Sequence, residues 1–307
     1  MIFAVAATIF QYLIFPGLLF AMAVGLFAGW ADRKISARLQ WRVGPPWHQN
    51  FTDIIKLLHK EAIIPQAAGV MFLAAPFIGL VGLALADMLL GNSIISPLKS
   101  FNGDLILILY LLILPALALM LGASASANPL ASVGASREMK LTMAYELPFI
   151  LSAIVAIIKC GSIEIGVILS HQVIFGANAA SLSGSLAFIA ALICTQAKLG
   201  LAPFEISEAE QEIMAGVLIE YSGWALAMFK LAKAMLVYTM PVFLIVLFLG
   251  KDTTPLFMIA KFAAIFTVFI LVKNTNPRLR IDQAVRFFWG PVTILALTAV
   301  VLALLGK

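Results

Sequence analysis

The chain has 307 residues, of which 63% are hydrophobic and 11% charged, with a mean hydropathy of +1.05 and a net charge of +5. These values exclude a soluble globular protein, a disordered chain and a disulfide scaffold, and leave an all-α polytopic membrane protein. The small positive balance does not point to nucleic acid, because the basic residues fall where membrane topology wants them.

Roughly twenty apolar residues are needed to cross a hydrocarbon core. Eight stretches qualify: 2–29, 68–90, 103–122, 141–159, 185–200, 224–249, 255–273 and 289–306. Together they predict one membrane domain over residues 1–307. The first run has no basic flank and is too long for a signal-peptide core, so it is expected to be retained. It is followed by the longest loop, 30–66, which carries Asp32, Arg33, Lys34, Arg38 and Arg42 before Gly44-Pro45-Pro46. Beyond that break, Ile54, Ile55, Leu57 and Leu58 alternate with Asp53, Lys56, Lys60 and Glu61 in an amphipathic pattern. Such a helix suits either the lipid headgroups or a docking soluble partner.

Span two ends near Asp87, where interface exposure and a functional role fit equally. Span three leads into a small polar loop, 124–140, whose Arg137 and Glu138 read as solvated or partner-facing charges. Glu146 lies about one turn inside span four, and Pro148 frees a backbone carbonyl beside it. The amphipathic piece 162–175 is expected at the surface between spans four and five. Span five is the weakest, being short and ending in Gln196 and Lys198.

The next stretch, 201–223, is an acidic island in an oily chain. Five of the fifteen Asp and Glu residues fall there: Glu205, Glu208, Glu210, Glu212 and Glu220. Carboxylates flanked this closely by membrane helices are costly and mark function by default. Read as a helix, Glu205, Glu208, Glu212 and Glu220 share one stripe. Like charges there, in low dielectric, are expected to push protons onto the carboxylates near neutral pH. Lys230 and Lys233 follow inside span six, about 15 Å beyond Glu220 on a helix, too deep to snorkel easily. Lys261 in span seven is a further buried-cation candidate. The last loop holds Arg278, Arg280, Asp282 and Arg286, a pattern that fits partner pairing and plain topology alike.

Thirteen lysines and arginines sit in the loops after spans one, three, five and seven, against five on the other side. Positive-inside predicts both termini outside the cytoplasmic membrane and the acidic island inside. No inverted repeat of the secondary-transporter kind is visible. Cys160 and Cys194 lack CxxC spacing, and His48, His59 and His171 are scattered, so no metal or iron–sulfur site assembles locally.

Four motifs in order carry a resemblance. PFEISEAEQEIMAGVLIEYSG, from Pro203 to Gly223, is similar without a gap to the signature of one NADH dehydrogenase family. That family supplies the complex I membrane subunit abutting the quinone chamber. Asp32, Arg33, Lys34, Gln40, Arg42, Gly44, Pro45, Asp53 and Lys56 resemble that family's first-loop pattern. YELP at Tyr145–Pro148 and PRLRIDQ at Pro277–Gln283 are further matches, so the resemblance covers nearly the whole chain. Between Arg42 and Asp53 the chain is shorter than quinone-reducing members. That feature, EAEQE at Glu208–Glu212 and GASRE at Gly134–Glu138 resemble the anchor subunits of energy-converting nickel–iron (NiFe) hydrogenases, formate hydrogenlyase and sulfane sulfur reductase. The family's usual acidic and basic residues just before the PFE element are replaced here by Lys198 and Leu201.

The resemblance implies no cofactor in this chain, with the NiFe centre and iron–sulfur clusters on partner subunits. Expected partners are a NiFe hydrogenase large subunit, a small iron–sulfur subunit, antiporter-like membrane subunits and the bilayer. Asp32, Arg33, Lys34, Arg38, Arg42, Asp53, Lys56, Arg278, Arg280 and Asp282 would dock the soluble arm. Glu146, Glu205, Glu208, Glu210, Glu212, Glu220, Lys230 and Lys233 would relay charge to H⁺ or Na⁺ translocation. The chain would be non-catalytic on its own. The alternatives are a quinone-site subunit of a complex I-type NADH:quinone oxidoreductase and a stand-alone transporter.

Overall fold

A computed structural model describes residues 10–66, 68–97, 100–208, 210–214 and 216–306. Residues 2–9 of the expected first span, with Lys99 and Lys307, lie outside the described residues. Caps and breakers, more than the edges of apolar runs, set where helices begin and end. α1 (Leu18–Leu39) continues well past residue 29, because WADRKISARL holds no Gly or Pro to stop it. Thus residues 30–39 of the expected 30–66 loop are helix, and Arg33, Lys34 and Arg38 ride on them. The chain then folds back, with Lys34 Nζ donating to the Val43 carbonyl (2.9 Å) and Trp30 Nε1 to that of Pro45 (3.2 Å). It re-enters a helix as α2 (Gln49–His59).

α3 (Val70–Ile95) packs against a broken span made of α4 (Asp104–Leu111) and α5 (Leu114–Ala125), with Pro115 at the restart. α6 (Pro129–Cys160) begins a dozen residues before the expected edge of span four, since Asn128 accepts from Leu130 N and Pro129 occupies the first turn. That extension lifts Arg137 and Glu138 onto a helix. α6 closes on Gly161 at φ +66.

α7 (Ile165–Phe175) departs from the expected surface piece. Ile165, Ile168, Leu169 and Gln172 are buried against the bundle, while Ile174 and Phe175 remain exposed. Gln172 tolerates burial by donating to the Val246 carbonyl (2.8 Å) and accepting from Gly250 N (2.7 Å) at a helix end. α8 (Leu182–Lys198) is the expected fifth span, only 17 residues long.

After α8 the chain runs through turns, the short α9 (Glu210–Ile213) and a 3₁₀ turn at Gly216–Leu218 before α10 (Gly223–Phe248). α11 (Pro255–Thr275) follows. α12 (Ile281–Phe287), a π-widened turn at Phe288–Val292 around Pro291, and α13 (Thr293–Leu304) form the last span. Seven helices among the described residues are long and apolar enough to cross a membrane. α10 is central, packing on α1, α2, α3 and α11, and 72% of its apolar window is buried against 22% for α11. A helix apolar all round needs either lipid or protein on every side, and α10 takes protein.

Candidate functional site

The ends of α6, α8, α10 and α12 meet the 201–222 segment on one face of the bundle. This is the face that carries the basic loops. The expected carboxylate stripe does not form. Met214 and Gly216 adopt left-handed backbone (φ +50 and +47), and turns replace a continuous helix. Tyr221 anchors the end of the segment, stacking on Phe72 (4.2 Å) and donating to its carbonyl (3.0 Å). Leu279 N donates to the Pro203 carbonyl (3.0 Å) at the other end.

Opened out in this way, the carboxylates do not face one another. Each takes a partner from a different element. Glu205 pairs with Arg278 (2.8 Å), Glu208 with Lys233 (2.6 Å) and Glu212 with Arg137, while Asn128 donates to Glu220. The mutual repulsion expected along a stripe is therefore relieved pair by pair. Glu210 starts α9, and its side chain lies outside the described residues. Glu146 on α6 is held by Lys198 (3.0 Å), whose side chain is 2% exposed and sits over the Phe149 ring (4.7 Å).

A cavity of about 430 Å³ lies behind this segment. Its α1–α2 wall includes Arg33, Asn50 and Asp53; its opposite wall includes Glu138, Glu208, Lys230 and Lys233. Lys198 and Gly200 reach it from the end of α8. Ser207, Glu208 and Lys233 all lie close enough to Glu138 to act on its charge. Lys230 is exposed toward this space and has no ion pair among the described residues. The walls thus carry acids and bases side by side. Moving one proton in such a string changes the charge state favoured at the next group.

Glu138 and Lys198 are the residues that sequence reasoning placed wrongly or left out. Glu138 is no solvated loop charge: it lies two turns before Glu146 on α6 and shares the cavity side of that helix. The Asn128-Pro129 cap carried the signal, since it starts the helix early enough to set that register. Lys198, the departure from the family pattern, is the buried partner of Glu146.

The expected docking residues divide in two. Asp32 is bound to Lys273 (2.6 Å), Arg33 to Asp53 (3.5 Å), Lys34 to a carbonyl and Arg278 to Glu205. Arg38, Arg42, Lys56, Arg280 and Asp282 are exposed, together with Trp41 and Trp47. Among the described residues no group of three His, Cys, Asp or Glu side chains could hold a metal ion.

The model of the family described as NADH dehydrogenase matches residues 12–304. The chain is 30% identical over 298 residues to the H-type NADH-quinone oxidoreductase subunit of Geobacillus kaustophilus, covering 90% of this chain and 87% of that one. It is 37% identical over 210 residues to hydrogenase-4 component C of Escherichia coli, covering 68% and 65% of the two chains. Among solved structures it is similar to a chain of the membrane-bound sulfane sulfur reductase, an archaeal respiratory membrane complex. That match has a TM-score of 0.88 at 30% identity and covers 97% of this chain and 99% of the other.

Proposed function

The chain belongs to the NADH dehydrogenase family of membrane subunits, and from that premise we propose that it is the membrane anchor of a respiratory hydrogenase-type complex. In this reading it holds a soluble NiFe and iron–sulfur arm on its basic face, which lies in the cytoplasm. Electron transfer in that arm drives H⁺ or Na⁺ translocation through the glutamate–lysine string. The redox centres belong to partner subunits, and antiporter-like chains receive the perturbation from α10. The observation that carries this is the cavity itself. It runs from the loop face to Lys233 inside a membrane helix, with Glu138, Glu208, Lys230 and Lys233 on one wall.

The mechanism follows from pairing. Glu208 and Lys233 form a contact at 2.6 Å in which each stabilises the other's charge. Protonating Glu208 releases Lys233 toward its other acidic neighbours, Glu205 and Glu138. A shift of partner on α10 is a two-state event of the kind that carries coupling between sites. Glu205, Glu212 and Glu220 close the segment over the cavity and fix its shape; Lys198 lines it and holds Glu146 behind.

Two experiments test the reading. Purification in mild detergent through a tag on this chain should bring down a NiFe large subunit, a small iron–sulfur subunit and antiporter-like chains. Recovery of NADH-oxidising, quinone-linked partners instead would move it to the complex I branch. In the assembled complex, Glu208→Gln should abolish ion translocation while the soluble arm keeps its activity with artificial electron donors. Undiminished translocation would remove the string from the mechanism.

A further inference from the structure

One carboxylate inside the bundle takes no part in that string. Asp87 is on α3, is 3% exposed and faces α10, which removes interface exposure from the two readings left open for it. Its Oδ1 lies 2.7 Å from Thr239 Oγ1, and its Oδ2 is buried with no hydrogen-bond partner among the described residues. No described lysine, arginine or histidine neutralises it. Tyr238, next to Thr239, lies close enough to sense its charge.

The hydroxyl of Thr239 decides its state. That oxygen lies 2.7 Å from Asp87 and 2.8 Å from the Met235 carbonyl. A hydroxyl has one proton to give, and a carbonyl can only accept. If Asp87 were ionised, both neighbours would be acceptors competing for one proton, and a carboxylate would sit unpaired in low dielectric. If Asp87 is a neutral acid, its O–H donates to Thr239, whose own O–H donates to Met235, and the short chain is complete. An isolated buried charge costs far more than a neutral acid with one unpaired oxygen. A metal cation is a poor alternative, because one carboxyl and one hydroxyl fall short of the six or so oxygens a hard cation takes.

We propose that Asp87 and Thr239 form a proton-binding site inside the membrane domain, distinct from the glutamate–lysine string, that exchanges its proton with the cavity along α10. Leu236 lines the cavity, and Thr239 lies one turn beyond it on the same side of α10, about 4.5 Å of helix rise away. On release, water admitted from the cavity beside Leu236, one turn before Thr239 on α10, takes the proton directly from Asp87. The hydroxyl then turns from Met235 to the new carboxylate, so the site trades one hydrogen bond for another. That the proton is present rests on the hydrogen-bond geometry alone. Its exchange rests also on the cavity serving as a relay.

The test is infrared spectroscopy of the purified complex at neutral pH, wild type against Asp87→Asn and Thr239→Val. The site predicts a protonated-carboxyl carbonyl band that Asp87→Asn removes. Thr239→Val, which keeps Asp87 and the helix, should shift that band to higher frequency by taking away the partner. Transfer into D₂O should lower the band frequency without unfolding. If no carboxyl band depends on either substitution, Asp87 is ionised and the site is overturned. A band present but unmoved by D₂O, after exposed amides have exchanged, overturns exchange with the cavity. Neither result depends on translocation by Glu208→Gln, so failure here and failure of the relay are separable.

Discussion

Two salt bridges of the same chemistry differ in consequence because water reaches one of them. Arg278–Glu205 is half in solvent, and exposed pairs contribute about 0–1 kcal/mol. Lys198–Glu146 has its ammonium 2% exposed against aromatic rings, so removing either partner strands the other. Lys198→Ala should destabilise the protein by about 3–5 kcal/mol, whereas Arg278→Ala should cost about 1 kcal/mol or less. Lys198→Met combined with Glu146→Gln removes both charges at near-constant volume and should recover most of the loss. Denaturant titration of the four proteins in detergent reads this directly. Equal losses for Lys198→Ala and Arg278→Ala would show that water screens the inner pair as well.

The active face depends on elements approaching closely. At Gly134 on α6, an added Cβ would stand 2.8 Å from Val217 N, inside contact with the 3₁₀ turn. Gly134→Val should push that turn away, loosening the Arg137–Glu212 and Asn128–Glu220 contacts together. We expect about 1–3 kcal/mol of destabilisation from overpacking, and faster proteolysis between residues 201 and 222. An unchanged cleavage rate would mean that the turn gives way elsewhere. Gly223→Ala strains the chain differently: φ is +57 and its Cβ would meet the Lys60 carbonyl at 2.7 Å.

Element ends also show what sequence could carry. The membrane spans were legible because apolar length is a one-dimensional quantity, and the acidic segment because charge in an oily chain is expensive. The early starts of α6 and α12 were written in Asn128-Pro129 and in Arg280–Gln283, yet charge density argued for loops there. The carboxylate stripe failed for a reason of another kind. Helical spacing ranks neighbours within a segment, while Arg278, Lys233 and Arg137 come from three other elements. Asp87 stayed undecided likewise, because its distance from a span end says nothing about the helix on its other side.

Across the whole molecule, burial is lopsided. α10 is enclosed, α11 and the last span are mostly open, and the open faces are apolar enough for lipid or neighbouring membrane chains. Charge is lopsided too: Arg38, Arg42, Lys56 and Arg280 crowd one face with Trp41, which is 99% exposed. An aromatic side chain held fully in solvent beside basic groups is the kind of anchor that a soluble partner covers. Topology and docking can therefore be read from one position. Trp41→Cys should react with a membrane-impermeant maleimide in inverted vesicles stripped of the soluble arm, and not in right-side-out cells. Buried Cys194 contributes no background, and Cys160→Ser removes the remaining half-buried thiol. Rebinding the arm should protect Trp41→Cys at least tenfold. Labelling from the outer side would invert the membrane orientation drawn from the basic loops. Labelling from the inner side without protection would keep that orientation and move the docking surface off the Trp41 loop, toward Arg280 and Asp282.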